Sequence, residues 1–155
     1  MTLLGAVLKK VPPFLNKIAI IETMTKTSTF ISKKDIIPLW SNLPFFIPAA
    51  IACYKGLWLY GAIIAAAALV SLYYHHTDEV GLKRTDKVLA YSVILSNLYI
   101  LYLSDFKQPY FSVAIIFVII AFYFLLTGKE HKYDVYHGIW HLCSVVITLM
   151  CVLAY

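Results

Sequence analysis

The 155-residue chain is 61% hydrophobic, carries only 14% charged residues and has a formal net charge of +5. This is too apolar for an ordinary soluble domain. The positive charge does not indicate a nucleic-acid partner, because the lysines are scattered between apolar runs instead of forming a basic helix with stacking aromatics. Since a bilayer-spanning helix needs about 20 apolar residues, the composition predicts an all-α, polytopic membrane protein without a large soluble domain.

The first 35 residues precede the first long apolar run. They contain two short apolar pieces, MTLLGAVL and FLNKIAII, separated by Lys9, Lys10, Pro12 and Pro13. Neither piece is long enough to cross a bilayer. A secretory signal does not fit, because the apolar stretch precedes the lysines. We therefore expect residues 1–35 to form an interfacial or flexible segment.

Five apolar runs follow, each bounded by charged or turn residues. They predict a transmembrane helical bundle over residues 36–155, with spans at Ile36–Tyr54, Gly56–Tyr74, Val88–Ser104, Tyr110–Thr127 and Tyr136–Tyr155. Long runs without alternation, such as GAIIAAAALV, favour helices over barrel strands. Pro38, Pro44 and Pro48 remove backbone hydrogen bonds and predict a bend in the first span.

The lysine and arginine residues fall unevenly on the two sides of these spans. Eleven of the 13 lie on the side that carries the N-terminus, and only Lys55 and Lys107 lie on the other. Cytoplasmic loops carry the excess of positive charge in membrane proteins. The asymmetry predicts a cytoplasmic N-terminus and, with five spans, a C-terminus on the opposite side.

The three cysteines, Cys53, Cys143 and Cys151, all lie within apolar runs. An odd number without a short-spaced pair argues against a disulfide framework and against a cysteine-ligated zinc ion. We expect them to be reduced residues that face lipid or the core.

Ionisable residues at the membrane edge gather on the predicted inner face. His75 and His76 end the second span, Asp86 lies where the third begins, and His137 and His141 lie at the start of the fifth. Ionisable groups within spans usually mark functional sites. Their arrival at one face from three separate helices therefore indicates a site.

Their spacing indicates metal chemistry. Ser71 and His75 are four residues apart, as are His137 and His141, so each pair projects from one side of its helix. Three imidazoles from two helices would then converge on one ion and leave a fourth position for water, as in catalytic zinc sites. Asp86 is a candidate to orient or deprotonate that water, and Ser71 to hydrogen-bond a developing oxyanion.

Other interpretations stay open on the residues alone. Asp86 also suits a helix N-terminus, where the dipole favours an acidic side chain, and Ser71 suits helix packing with a bond to its own backbone. Haem held by His75 and one fifth-span histidine is a further alternative. A serine-hydrolase triad is disfavoured, because Ser71 lies in no G-x-S-x-G turn.

The motifs resemble a known superfamily. SLYYH ending at His75, Asp86 in LKRTDKV, and HGIWH from His137 to His141 are similar to the hallmark of the superfamily that joins alkaline ceramidases, progestin and adipoQ receptors, and myomaker-like membrane proteins. YHHTD and LSDFKQP are most similar to the myomaker-like branch. The likeness covers the chain from about Leu69 onward. Its members usually have seven spans, whereas about five are predicted here.

The resemblance implies zinc bound by His75, His137 and His141, with Ser71 and Asp86 in supporting catalytic roles. It predicts a zinc-dependent hydrolase of a lipid amide or ester, with a membrane lipid as substrate or ligand. The alternative is a non-enzymatic membrane protein that acts in remodelling, fusion or signalling. In it, structural zinc would be closed by Asp86 as a fourth ligand. Oligomerisation is left open.

Overall fold

The computed structural model describes residues 36–77, 79–127 and 133–155. Its helices are α1 (Ile36–Ser41), a 3-10 turn (Leu43–Phe45), α2 (Phe46–Tyr54), α3 (Trp58–Thr77), α4 (Val80–Leu103), α5 (Tyr110–Thr127) and α6 (Tyr133–Ala154). No strand occurs in these three ranges, so the predicted all-α class is confirmed. The predicted interfacial segment, residues 1–35, lies outside the described residues.

Five segments are long and apolar enough to cross a membrane. The first consists of α1, the 3-10 turn and α2, and the other four are the helices α3, α4, α5 and α6. At 1.5 Å of rise per residue, helices of 18 to 24 residues span roughly 27–36 Å, which matches the hydrocarbon core. The predicted multi-pass architecture is therefore confirmed, and the orientation of the termini stays a prediction.

The first span is broken as its prolines predict. α1 ends at Ser41, and a 3-10 turn containing Pro44 leads into α2. At the break, the Asn42 backbone N–H bonds to the Leu39 carbonyl. The Ser41 hydroxyl and the Asn42 side-chain amide instead donate to the Pro38 carbonyl, each at 2.9 Å. These side chains supply the partners that a regular helix would have provided in the membrane interior.

The helix of the third span begins before the predicted start of that span. α4 begins at Val80, eight residues before the predicted Val88, and carries Lys83, Arg84 and Lys87 as exposed residues of its first two turns. An apolar run in the sequence ends where charged residues begin, whereas the helix itself continues through those residues toward the headgroup layer. Asp86 is consequently a second-turn residue, beyond the first turn in which a helix dipole acts strongly.

The helices α3 and α6 also extend beyond the predicted spans at the ends that carry the histidines. α3 continues three residues beyond the predicted Tyr74, to Thr77, and α6 begins three residues earlier than predicted, at Tyr133. The reason is the same, since polar and aromatic residues at a span end remain helical. Both extensions lie at the end of the bundle that carries the histidines, so each histidine belongs to a regular helical turn.

Four of the five spans form a ring. α3 packs between the first span and α4, and α6 also packs between the first span and α4. α3 and α6 therefore face each other across the ring, whereas α5 packs on the outer side of α6. Small buried residues allow the close approaches, as is usual for helices in lipid: Ala49, Ala52, Ala68, Ala114 and Ala121.

Gly61 marks the closest approach of α2 to α3. A Cβ atom at this position would lie 2.5 Å from the Cys53 Sγ atom and 2.9 Å from the Ala49 carbonyl oxygen. Both distances are shorter than normal contacts, so the two helix backbones meet here because glycine has no side chain.

We predict that Gly61→Ala destabilises the bundle by about 1–3 kcal/mol, because the added methyl group forces α2 and α3 apart. Gly81→Ala is the matched control, since a Cβ atom there meets no atom of the described residues within 4 Å. Thermal unfolding in detergent, followed by circular dichroism, measures both variants. Equal melting temperatures for the two variants would contradict the proposed close packing.

Candidate metal centre

Two helix ends bring three histidines together. His75 lies in the last turn of α3, and His137 and His141 lie in the second and third turns of α6. The four-residue spacing places His137 and His141 on one side of α6, the side that faces α3. The His75 ring lies 5.3 Å from the His137 ring and 5.8 Å from the His141 ring, measured between centroids. The convergence predicted from spacing is therefore confirmed.

The nitrogen positions suit a metal ion. The His137 and His141 Nε2 atoms are 3.1 Å apart, and one ring nitrogen from each of the three histidines lies within 4.8 Å of the others. Two imidazoles on a tetrahedral zinc ion, with bonds of about 2.0–2.1 Å, place their nitrogens about 3.3 Å apart. The three histidines are thus close enough to hold a metal ion, with donors of the type that zinc prefers.

The same distances do not suit haem. A haem between His75 and one α6 histidine requires a macrocycle between the two rings. Both α6 histidines instead contact the His75 ring edge-on, and the three donor atoms lie within 4.8 Å. Because the two α6 Nε2 atoms are only 3.1 Å apart, a porphyrin placed between His75 and either of them would overlap the other imidazole.

Asp86 and Ser71 lie beside the histidines. The Asp86 carboxylate, half-buried on α4, interacts electrostatically with the Ser71 hydroxyl and with His75. The Ser71 side chain is only 4% exposed, and its Oγ atom makes no direct hydrogen bond within the described ranges. Its contact with Asp86 is therefore looser than a hydrogen bond. A buried hydroxyl without a direct partner is available to a bound molecule.

Asp86 is not a fourth member of the donor group. Among the described residues, the group close enough to share an ion contains His75, His137 and His141 alone. His76, the neighbour of His75, is exposed and does not belong to it. Three protein donors with a carboxylate nearby is the arrangement that leaves one coordination position open.

Two aromatic rings, which the sequence interpretation did not identify, stack against His137. The His137 ring is stacked between Tyr133 and Trp140, with centroids 5.1 and 5.5 Å away and interplanar angles of 12° and 19°. Phe45, from the first span, meets the His141 ring edge-on at 6.4 Å. The spacing of Tyr133 and Trp140, four residues before and three after His137, is the signal that would have revealed this stack.

Gly138 brings the first span against the site. A Cβ atom on Gly138 would lie 2.5 Å from the Ile37 Cγ2 atom, so α1 approaches α6 directly beside His137. The site is therefore enclosed by the first span as well as by α3, α4 and α6.

In comparisons with protein-family models, with curated proteins and with solved structures, none matched this chain. The resemblance to the ceramidase and receptor superfamily accordingly rests on the motifs around Ser71, His75, Asp86, His137 and His141.

We predict that purified protein binds about one zinc ion per chain, and that combined His137→Ala and His141→Ala substitutions abolish stoichiometric binding because two of three donors are lost. His76→Ala is the control, since this exposed histidine neighbours His75 but lies outside the group. Elemental analysis of dialysed protein measures the zinc content. Zinc retained in the double variant, or lost equally in His76→Ala, would contradict the donor set.

Proposed function

We propose that the protein is an integral membrane zinc-dependent hydrolase that cleaves an amide or ester bond of a lipid. The observation that carries this proposal is the count of donors: three histidines lie within reach of one ion, and Asp86 lies beside them without joining the group. Catalytic zinc sites have three protein ligands and an open position, whereas structural sites are closed by four. The alternative of a structural zinc staple is therefore less well supported.

The depth of the histidines supports a lipid substrate. His75 lies two residues before the end of α3, and His137 and His141 lie four and eight residues after the start of α6. At 1.5 Å per residue these positions are roughly 3–12 Å from the helix ends. The layer between water and the hydrocarbon core is roughly 5–8 Å thick on each side. Amide and ester groups that join lipid tails to their backbone lie at that boundary.

The chemistry divides among five side chains. His75, His137 and His141 hold the ion, and zinc, when bound, polarises a carbonyl group and acidifies a water molecule. Asp86 accepts the proton of the attacking water as general base and later donates it to the leaving group. The Ser71 hydroxyl donates a hydrogen bond to the oxygen on which negative charge develops.

The surroundings of the site assist these roles. The Tyr133 and Trp140 rings on either face of His137 fix the plane of its imidazole, so the Nε2 atom keeps its direction toward the other donors. Enclosure by the first span at Gly138 and Phe45 limits access of bulk water. A lipid tail enters from the bilayer, and the reacting group meets the donors at the interface.

We predict that Asp86→Asn retains zinc but lowers lipid turnover by about 10²–10⁴-fold, because the amide cannot accept a proton. Asp105→Asn is the control, since Asp105 lies beyond the opposite end of α4, and asparagine also tolerates its positive φ of 49°. The assay presents a sphingolipid amide and a glycerolipid ester to the zinc-loaded protein in mixed micelles.

Unchanged turnover in Asp86→Asn would remove Asp86 from catalysis. Zinc-loaded protein that cleaves neither lipid class, while Asp86→Asn loses the metal, would instead favour a structural zinc closed by Asp86.

A further inference from the structure

A second group of polar side chains lies inside the helix ring, away from the histidines. Tyr60 on α3, Asn97 on α4 and Thr148 on α6 are 5%, 7% and 0% exposed. The Tyr60 hydroxyl donates to Asn97 Oδ1, and Asn97 Nδ2 donates to Thr148 Oγ1 at 3.1 Å. The Thr148 hydroxyl donates in turn to the Ser144 carbonyl at 2.8 Å. We refer to Tyr60, Asn97 and Thr148 as the polar bridge.

The polar bridge joins the same three helices that carry the candidate site. Each of its members lies toward the opposite end of its helix from the site residue: Tyr60 is two residues from the start of α3, and Asn97 and Thr148 are each six residues from the ends of α4 and α6. Thr148 is about two turns beyond His141, Asn97 about three turns beyond Asp86, and Tyr60 about four turns before His75. The bridge is therefore separate from the metal donors but lies on the same helices.

On each helix the bridge residue and the site residues share one face. The buried residues of α3 include Tyr60, Ile64, Ala68 and Ser71, which recur every three or four residues toward His75. On α6, His141, Val145 and Thr148 recur in the same way. A residue spacing of three or four keeps side chains on one side of a helix. The rotation of each helix at the bridge therefore sets the direction of its histidines.

The rotation of α3 against α6 is not fixed by close packing of these two helices on each other. These two helices do not pack closely along each other, since they lie on opposite sides of the ring. In lipid, apolar surfaces have no hydrophobic drive to prefer one rotation, so packing and interhelical hydrogen bonds decide it. Asn97 supplies such bonds to both helices from α4.

The bridge is specific to its residue types. Asn97 must accept a hydrogen bond from Tyr60 and donate one to Thr148, and an amide side chain does both. Rotation of either helix would leave these buried polar atoms without partners, which is costly. A single buried asparagine fixes register in the same way in coiled coils.

We infer that the polar bridge is a positioning device: it fixes the rotation and depth of α3, α4 and α6 so that His75, His137 and His141 converge. Asn97 is its central positioning residue. The inference rests on the proposed function in one respect, namely that the converging histidines bind metal.

The test compares Asn97→Leu, which removes both bonds at similar volume, with Tyr60→Phe, which removes one hydroxyl and preserves the ring. Asn42→Leu is the matched control, because Asn42 is also buried and its side chain bonds, among the described residues, within the first span to the Pro38 carbonyl. Nitroxide labels carried by unnatural amino acids at exposed positions Tyr73 on α3 and Leu142 on α6 report the helix separation by electron–electron double resonance in metal-free protein. Competition with a chelator gives the zinc affinity of the unlabelled variants.

We expect a broadened label distance and a zinc affinity about 10–100-fold weaker in Asn97→Leu, on the scale of lost supporting contacts at metal sites. Tyr60→Phe should show a smaller change of the same kind, and Asn42→Leu neither change. A narrow, unshifted distance in both bridge variants would overturn the inference, as would a broadened distance with unchanged zinc affinity. If wild-type protein binds no zinc, the proposed function fails, whereas the label distances still decide whether the bridge positions the helices. If Asn97→Leu does not fold, Tyr60→Phe decides the outcome.

Discussion

The absence of water in the membrane interior governs this structure, because every polar group there must find a partner within the protein. The chain meets that requirement in three different ways. At the proline break of the first span, the Ser41 and Asn42 side chains bond to the Pro38 carbonyl. Toward the end of the ring opposite the histidines, Tyr60, Asn97 and Thr148 satisfy one another. At the membrane edge, three histidines face one another at distances that an ion would bridge.

These three arrangements of polar groups also link the helix packing to the candidate site. The broken first span brings Phe45 against His141 and brings Ile37 against Gly138, so a helix without metal donors still closes one side of the site. The polar bridge ties together the three helices that carry the donors and Asp86. The outermost helix, α5, packs on α6 and contributes no residue to the donor group. A ring of four spans is therefore sufficient to bring the histidines together.

The sequence predicted the parts of this arrangement that depend on period and composition. Apolar runs gave five spans, and the four-residue spacing of His137 and His141 placed both rings on one side of a helix. The sequence did not show that charged residues continue this helix beyond the apolar run, so that α4 begins at Val80 and Asp86 lies in its second turn. The sequence also did not predict the polar bridge, because its members are far apart along the chain. Tyr60 and Asn97 are separated by 37 residues, and Asn97 and Thr148 by 51. Only the ring order of the helices brings them together.

The coordination of zinc in the purified, metal-loaded protein tests the central claim most directly. X-ray absorption at the zinc edge counts imidazole ligands and shows whether a further position is held by the protein. The account predicts one zinc ion per chain bound by three imidazoles, with a fourth, non-protein position that a small anion exchanges. A protein that binds no stoichiometric zinc, or one whose fourth ligand is a carboxylate lost in Asp86→Asn, would contradict the account of an open catalytic site.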